Sequence, residues 1–135
     1  MPTRDPELGA TGQVEMVVGE QDLASTLSPI SGDAYPAVFA TTRAIALCEL
    51  AAGRILAPLL SEGELSVGVI VDVKHIAATL PGARVSATAR YTGRDGKLYS
   101  FEVSVKDPGG EVMTGVHKRA VIQLSRLLEG AEKRR

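Results

Sequence analysis

The sequence predicts an α+β fold in which an antiparallel β-sheet wraps around one long central helix. Three observations predict it. The stretch from Val38 to Leu60, VFATTRAIALCELAAGRILAPLL, is almost wholly apolar and carries charge only at Arg43, Glu49 and Arg54. Alanine and leucine dominate it; both are strong helix formers, and a helix apolar on nearly every side belongs inside a protein. Beyond Gly63 the pattern changes to a period of two, the mark of half-buried strands. Short turns then join the last three strands, which makes them antiparallel neighbours.

The chain has 135 residues, the size of one domain able to bury a core without a staple. We read residues 1–135 as a single domain, with 1–12 a loose lead-in and 126–135 a charged tail whose end, EGAEKRR (129–135), frays into solvent. A formal net charge of −1 and the absence of tryptophan speak against a nucleic-acid partner, which needs basic surface and stacking rings. Charges and Pro58 within the apolar stretch speak against a membrane span. The N-terminus, MPTRDPELGATGQ, has no apolar signal region. The single cysteine, Cys48, allows no internal disulfide, which fits a reducing, cytoplasmic setting. Inside an apolar helix its thiol reads as inert packing. Two histidines far apart and one cysteine provide no metal-ligand spacing.

In chain order, Gln13 to Val18 reads as the first strand. A long loop from Gly19 to about Pro36 follows, rich in turn formers such as Ser28, Pro29, Gly32 and Asp33. Loops of that length are often lids. Tyr35 and Phe39 bracket its end, so Tyr35 either covers a pocket or anchors the loop. Pro36 keeps Tyr35 extended, so the helix begins after it, and Pro58 and Gly63 end it. In the strand Leu65 to His75, residues Val67, Val69, Val71, Val73 and His75 share one parity, opposite to Asp72 and Lys74. His75 therefore faces the core. Strands follow at Ala83 to Tyr91, Leu98 to Lys106 and Glu111 to about Leu124. They are joined by turns at Gly93–Gly96 and Asp107–Gly110. Ser125 to Arg135 reads as a short helical or irregular tail.

Three polar groups are expected to converge: a threonine at the helix start, Glu49 in its middle, and His75 on the facing strand. At about 100° per residue Thr42 lies within about 20° of Glu49 around the helix, and Thr41 about 80° away. Either could share a site with Glu49. A hydroxyl, a carboxylate and an imidazole together can bind and activate water or an acyl group. The plain alternatives are an ion pair of Glu49 with Arg54 or Arg119, a core histidine, and a capping threonine. Burying a carboxylate is costly unless it is paired, and that cost often marks a site.

The motif VFATxxxxxxxE (Val38 to Glu49), the glycine Gly68 seven residues before His75, TxPG (Thr79 to Gly82) and GVHKRAVI (Gly115 to Ile122) together resemble the fluoroacetyl-CoA thioesterase family of hotdog-fold proteins. The resemblance implies a sheet wrapped round one helix, the layout already reached. It implies Thr41, Glu49 and His75 as the catalytic group, so the motif selects Thr41 over Thr42. It implies that Gly68 lies near the thioester carbonyl, where a backbone N–H can stabilise an oxyanion. It matches Arg119 to the family's arginine; Arg119 or Lys118 is then a candidate contact for CoA phosphates. Tyr35, with Phe39 beside it, stands where the fluoroacetyl-specific enzyme has a phenylalanine lid, and its phenol adds polarity to that gate. The expected activity is hydrolysis of a small acyl-CoA, with CoA as part of the substrate and no separate cofactor. Glu49 serves as nucleophile or general base, and His75 moves protons. The resemblance implies a homodimer with the pocket at its interface; joining two sheets edge to edge would also bury exposed strand edges. His117 receives no role, its parity being ambiguous. The alternative is a non-catalytic acyl-CoA or small-ligand binding protein.

Overall fold

The computed structural model describes residues 5–135. Strand β1 (Thr11–Val17) leads into a long loop carrying two short 3-10 turns, then helix α1 (Thr41–Leu56). Four strands follow, β2 (Glu64–His75), β3 (Arg84–Asp95), β4 (Leu98–Asp107) and β5 (Gly110–Gln123), and helix α2 (Leu124–Lys133) closes the chain. The sheet order is β1-β3-β4-β5-β2, with every pairing antiparallel. The last three strands are neighbours, as their short turns require. β2 crosses over to pair with β5, which leaves β1 and β2 as the edges.

The core lies between one face of α1 and the concave face of the sheet. Ala44, Leu47, Cys48, Ala51, Ala52, Ile55 and Leu56 recur at helical spacing and are buried. They meet Val14, Val85, Ala87, Ala89, Tyr91, Phe101, Val103 and Val105 from the strands. Small side chains on both sides let the layers approach closely. A Cβ at Gly12 would stand 2.3 Å from the carbonyl oxygen of Ala51.

Several expectations are corrected. The helix runs from Thr41 to Leu56 rather than from Val38 to Leu60, with a 3-10 turn at Ala57–Leu59, and it is about 24 Å long. Phe39 is held extended before it: its N–H donates to the Thr79 carbonyl at 2.9 Å, and it bridges Leu23. The helix is not buried all round. Thr42, Arg43 and Arg54 are exposed and Leu50 is 55% exposed, because one sheet covers one side only. The alternation in β2 breaks at a bulge between Gly68 and Ile70, where the extra residue Val69 switches the faces. Val67 thus pairs with Ala120 on the outer face, while Val71, Val73 and His75 oppose His117, Gly115 and Met113 on the helix side. The β3–β4 hairpin turns at Gly96-Lys97, one step beyond the expected turn, because β3 runs on to Asp95. The tail does not fray after β5; it forms α2, which reaches Lys133 with no buried residue.

Candidate active site

The start of α1 is fixed by a residue that sequence reasoning passed over. Asp22, in the long loop, is buried. One carboxylate oxygen accepts from Arg43 Nε and Nη2 at 3.0 and 2.8 Å, the other accepts from the Gly19 N–H at 2.8 Å, and its carbonyl accepts from the Ala40 N–H at 2.9 Å. This clamp makes Ala40 the N-cap and Thr41 the first helical residue. Freed from capping, the Thr41 hydroxyl turns to the sheet and meets His75 Nδ1 at 2.8 Å. His75 Nε2 is buried with no hydrogen-bond partner. Both side chains line a cavity of about 420 Å³ with Tyr35, Pro36, Val38, Phe39 and Ile76. Tyr35, 59% exposed, stands at its surface, and Phe39 is fully buried. The expected lid position is therefore occupied by an aromatic ring over an otherwise apolar pocket.

Glu49 anchors a second cluster, one chain layer further along. Its Oε2 accepts from Arg119 Nη1 at 3.1 Å. Arg119 is 8% exposed and donates also from Nε to Ser66 Oγ at 3.0 Å and from Nη2 to the Ser66 carbonyl at 2.9 Å. Nη1 lies 3.1 Å from His117 Nε2, and His117 Nδ1 lies 2.8 Å from the Ile70 carbonyl. A guanidinium only donates, so Nε2 must accept and the His117 proton must reside on Nδ1. Burial lowers the pKa of His117 and Arg119 adds to this, against the opposing pull of the Ile70 carbonyl and Glu49. A Cβ on Gly68 would come within 2.3 Å of Glu49 Oε2, so glycine alone leaves room for the carboxylate there. Glu49 and Arg119 border a cavity of about 470 Å³ on the flank of α1.

Within one chain, then, Thr41 joins His75, and Glu49 joins Gly68 and Arg119. The expected meeting of all three catalytic candidates is not formed in a single copy, and the two clusters line separate cavities. Eight residues of helix separate Thr41 from Glu49, about 12 Å of rise. Seven residues of strand separate Gly68 from His75, about 23 Å. Arg119 does not reach outward as the expected phosphate contact: it is buried, and its guanidinium is bonded to Ser66, Glu49 and His117 inside the protein. The exposed-side candidate Lys118 pairs with Asp95 at 2.5 Å. Arg54 donates to the Gln13 carbonyl at 3.1 Å, which leaves Arg119 as the partner of Glu49. Burial and the neighbouring Glu49 push the Cys48 thiol up to about 11, so it stays protonated and unreactive near neutral pH. No described helix is long and apolar enough to cross a membrane, and among the described residues no group of three or more His, Cys, Asp or Glu is placed to hold a metal ion.

A curled antiparallel sheet of five strands around one helix, with a carboxylate in mid-helix against a strand glycine, defines the hotdog-fold class to which many thioesterases belong. Residues 18–125 match the family described as "Fluoroacetyl-CoA-specific thioesterase" (FlK). The chain belongs to that family. It is 42% identical over 92 residues to the fluoroacetyl-CoA thioesterase of Streptantibioticus cattleyicolor, a match that spans 68% of this chain and 66% of that protein. Among solved structures, the fluoroacetyl-CoA thioesterase FlK superposes with a TM-score of 0.92 at 34% identity, covering 98% of this chain and 99% of the other. A phenylalanine-to-alanine variant of that enzyme, in complex with fluoroacetate and CoA, gives a TM-score of 0.85 at 36% identity over 90% and 98% of the two chains. A thioesterase superfamily member from Thermus thermophilus gives 0.85 at 27% identity over 98% and 94%.

Proposed function

We propose that this protein hydrolyses the thioester of a small acyl-CoA, releasing the free acid and CoA. One observation carries the reading: Thr41 and His75 are hydrogen-bonded in the wall of an apolar cavity, with the imidazole Nε2 buried and unpaired. An unpaired buried nitrogen costs about 1–3 kcal/mol. Such a group belongs where a reacting molecule or water completes it. Glu49 supplies the carboxylate, either attacking the carbonyl carbon to form a mixed anhydride that water then hydrolyses to the free acid and the restored carboxylate, or taking a proton from the attacking water. The C–S bond breaks and the CoA sulfur takes a proton, for which His75 is the donor. The Gly68 backbone, packed against Glu49, is where the carbonyl oxygen would sit.

The site is completed by a second copy of the chain. β2 is a 12-residue edge whose Val69, Ile70 and Val71 are 52%, 41% and 43% exposed, an unpaired apolar strand that invites pairing. An antiparallel two-fold pairing centred between Gly68 and His75 exchanges the strand ends. It lays the His75 and Thr41 of one copy beside the Glu49 and Gly68 of the other, which removes the separation of the clusters. The substrate class is a short acyl group under the Tyr35 gate; the phenol favours an acyl chain other than fluoroacetyl.

Thiol release from a panel of fluoroacetyl-, acetyl-, branched and aromatic acyl-CoAs tests the reading. Glu49→Gln and His75→Ala are each expected to lower turnover at least about tenfold, as removal of acid–base groups does, with unchanged melting temperature. Wild-type rates in both would overturn it. The Arg119–Glu49 pair favours a second reading, a binding protein whose carboxylate is held for recognition alone. Tight acyl-CoA binding with no thiol released would select that one.

A further inference from the structure

We infer that His117 is a positioning residue for Glu49, acting through Arg119; this rests on the hydrolase reading above. Residues 117 and 119 are two apart on β5, so their side chains share the concave face. Both are buried there. The bulge in β2 matters to this arrangement. It falls between Gly68 and Ile70, opposite Arg119 and Lys118, so the same irregularity presents the Ile70 carbonyl to His117 and the Gly68 backbone to Glu49.

The geometry forms a directed chain. The Ile70 carbonyl accepts from Nδ1–H of His117 at 2.8 Å, which leaves Nε2 with a lone pair. That lone pair accepts from Arg119 Nη1 at 3.1 Å, and the same nitrogen donates to Glu49 Oε2 at 3.1 Å. Ser66 holds the other side of the guanidinium through its hydroxyl and carbonyl. The guanidinium is planar, so anchoring both edges sets the direction of Nη1 and hence the position of the carboxylate. If His117 loses its lone pair, Nη1 keeps Glu49 Oε2 as its acceptor but loses the second contact that fixes its direction. A protonated His117 would present a second donor to a cation. The charged groups that bear on it are Arg119 from its own strand and Glu49 from α1. β2 contributes the Ile70 carbonyl and β4 the apolar Phe101 opposite it. His117 is thus held as a neutral acceptor, and its task is the aim of Arg119.

Two isosteric variants separate this task from space filling. Glutamine can place an oxygen at the Nε2 position and accept from Arg119. Asparagine can keep a donor at the Nδ1 position for Ile70 but reaches no further. His117→Asn is expected to lower kcat about tenfold or more, a part of what a positioned acid–base group contributes, with KM nearly unchanged. His117→Gln is expected to retain most of kcat. Nitrogen-15 NMR provides a readout independent of turnover. In the wild type and His117→Gln, the Arg119 Nη1–H that donates to residue 117 is expected to exchange slowly with water; in His117→Asn it exchanges fast. In the wild type the His117 ring is expected to remain the neutral Nδ1–H tautomer as pH falls through the ordinary histidine range. If the two variants behave alike in exchange and in turnover, or if the ring protonates with an ordinary histidine pKa, the inference fails. If the wild type releases no thiol from any acyl-CoA, the hydrolase reading fails, and the NMR comparison still decides the role of His117.

Discussion

Glu49, its side chain 40% exposed, has one oxygen set by two neighbours: a guanidinium that donates to it and a glycine whose missing Cβ leaves it room. That tight fit sets up a test at a single atom. Gly68→Ala adds a methyl group 2.3 Å from Oε2. The atom it meets is the end of a flexible side chain, so the strand can stay and the carboxylate must move. Turnover is expected to fall at least about tenfold, since small misplacements of reacting groups are costly, while the melting temperature shifts little. Unchanged turnover, measured by thiol release, would show that the carboxylate position does not matter. Thr41 rather than Thr42 meets His75, although helical spacing alone preferred Thr42. Spacing measures alignment with Glu49, whereas the Thr41 hydroxyl reaches across to the sheet. Asp22 and His117 were invisible for a different reason. A loop aspartate carries no periodic signal, and the parity along β5 is shifted by an irregularity between Val105 and Lys106 of the paired strand.

α1 and β1 are held together by an absence of side chain. Gly12 faces the Ala51 carbonyl at a separation no Cβ could tolerate, and Ala51 and Ala52 are fully buried. Gly12→Ala would push backbone against backbone, which cannot be relieved by a rotamer change. The cost expected from overpacking is about 1–3 kcal/mol, seen as a lowered melting temperature by circular dichroism; an unchanged melt would show that the helix shifts freely on β1. The strand–helix–strand order was readable because period 3.6 and period 2 leave different marks on a sequence. The helix ends were less so: Val38 and Phe39 look helical by composition, but the Val38 carbonyl accepts from the Ala24 N–H, and Phe39 bridges Leu23 and donates to the Thr79 carbonyl. The β2 alternation misled in its first half because a bulge inserts a residue without altering composition.

The whole molecule, taken as one chain, exposes an apolar edge and divides its candidate chemistry between two cavities. The proposed pairing of two copies across β2 would resolve both features. Sedimentation velocity at micromolar concentration is expected to report a dimer. A monomer alone under those conditions, with full activity, would overturn the composite site. The linear pattern of this protein determined that a long apolar helix precedes four strands, that the last three are neighbours, and that a threonine, a glutamate and a histidine stand at motif positions. Those properties are local: each is written in periodicity, turn residues or short-range spacing. Tertiary structure alone decided that β2 crosses to β5, that Arg119 is committed to Glu49, that His117 is a buried neutral acceptor, and that His75 and Glu49 of one chain face different cavities. These depend on which distant segments meet, and a bulge or a crossover redirects side chains without leaving a trace in the order of residues.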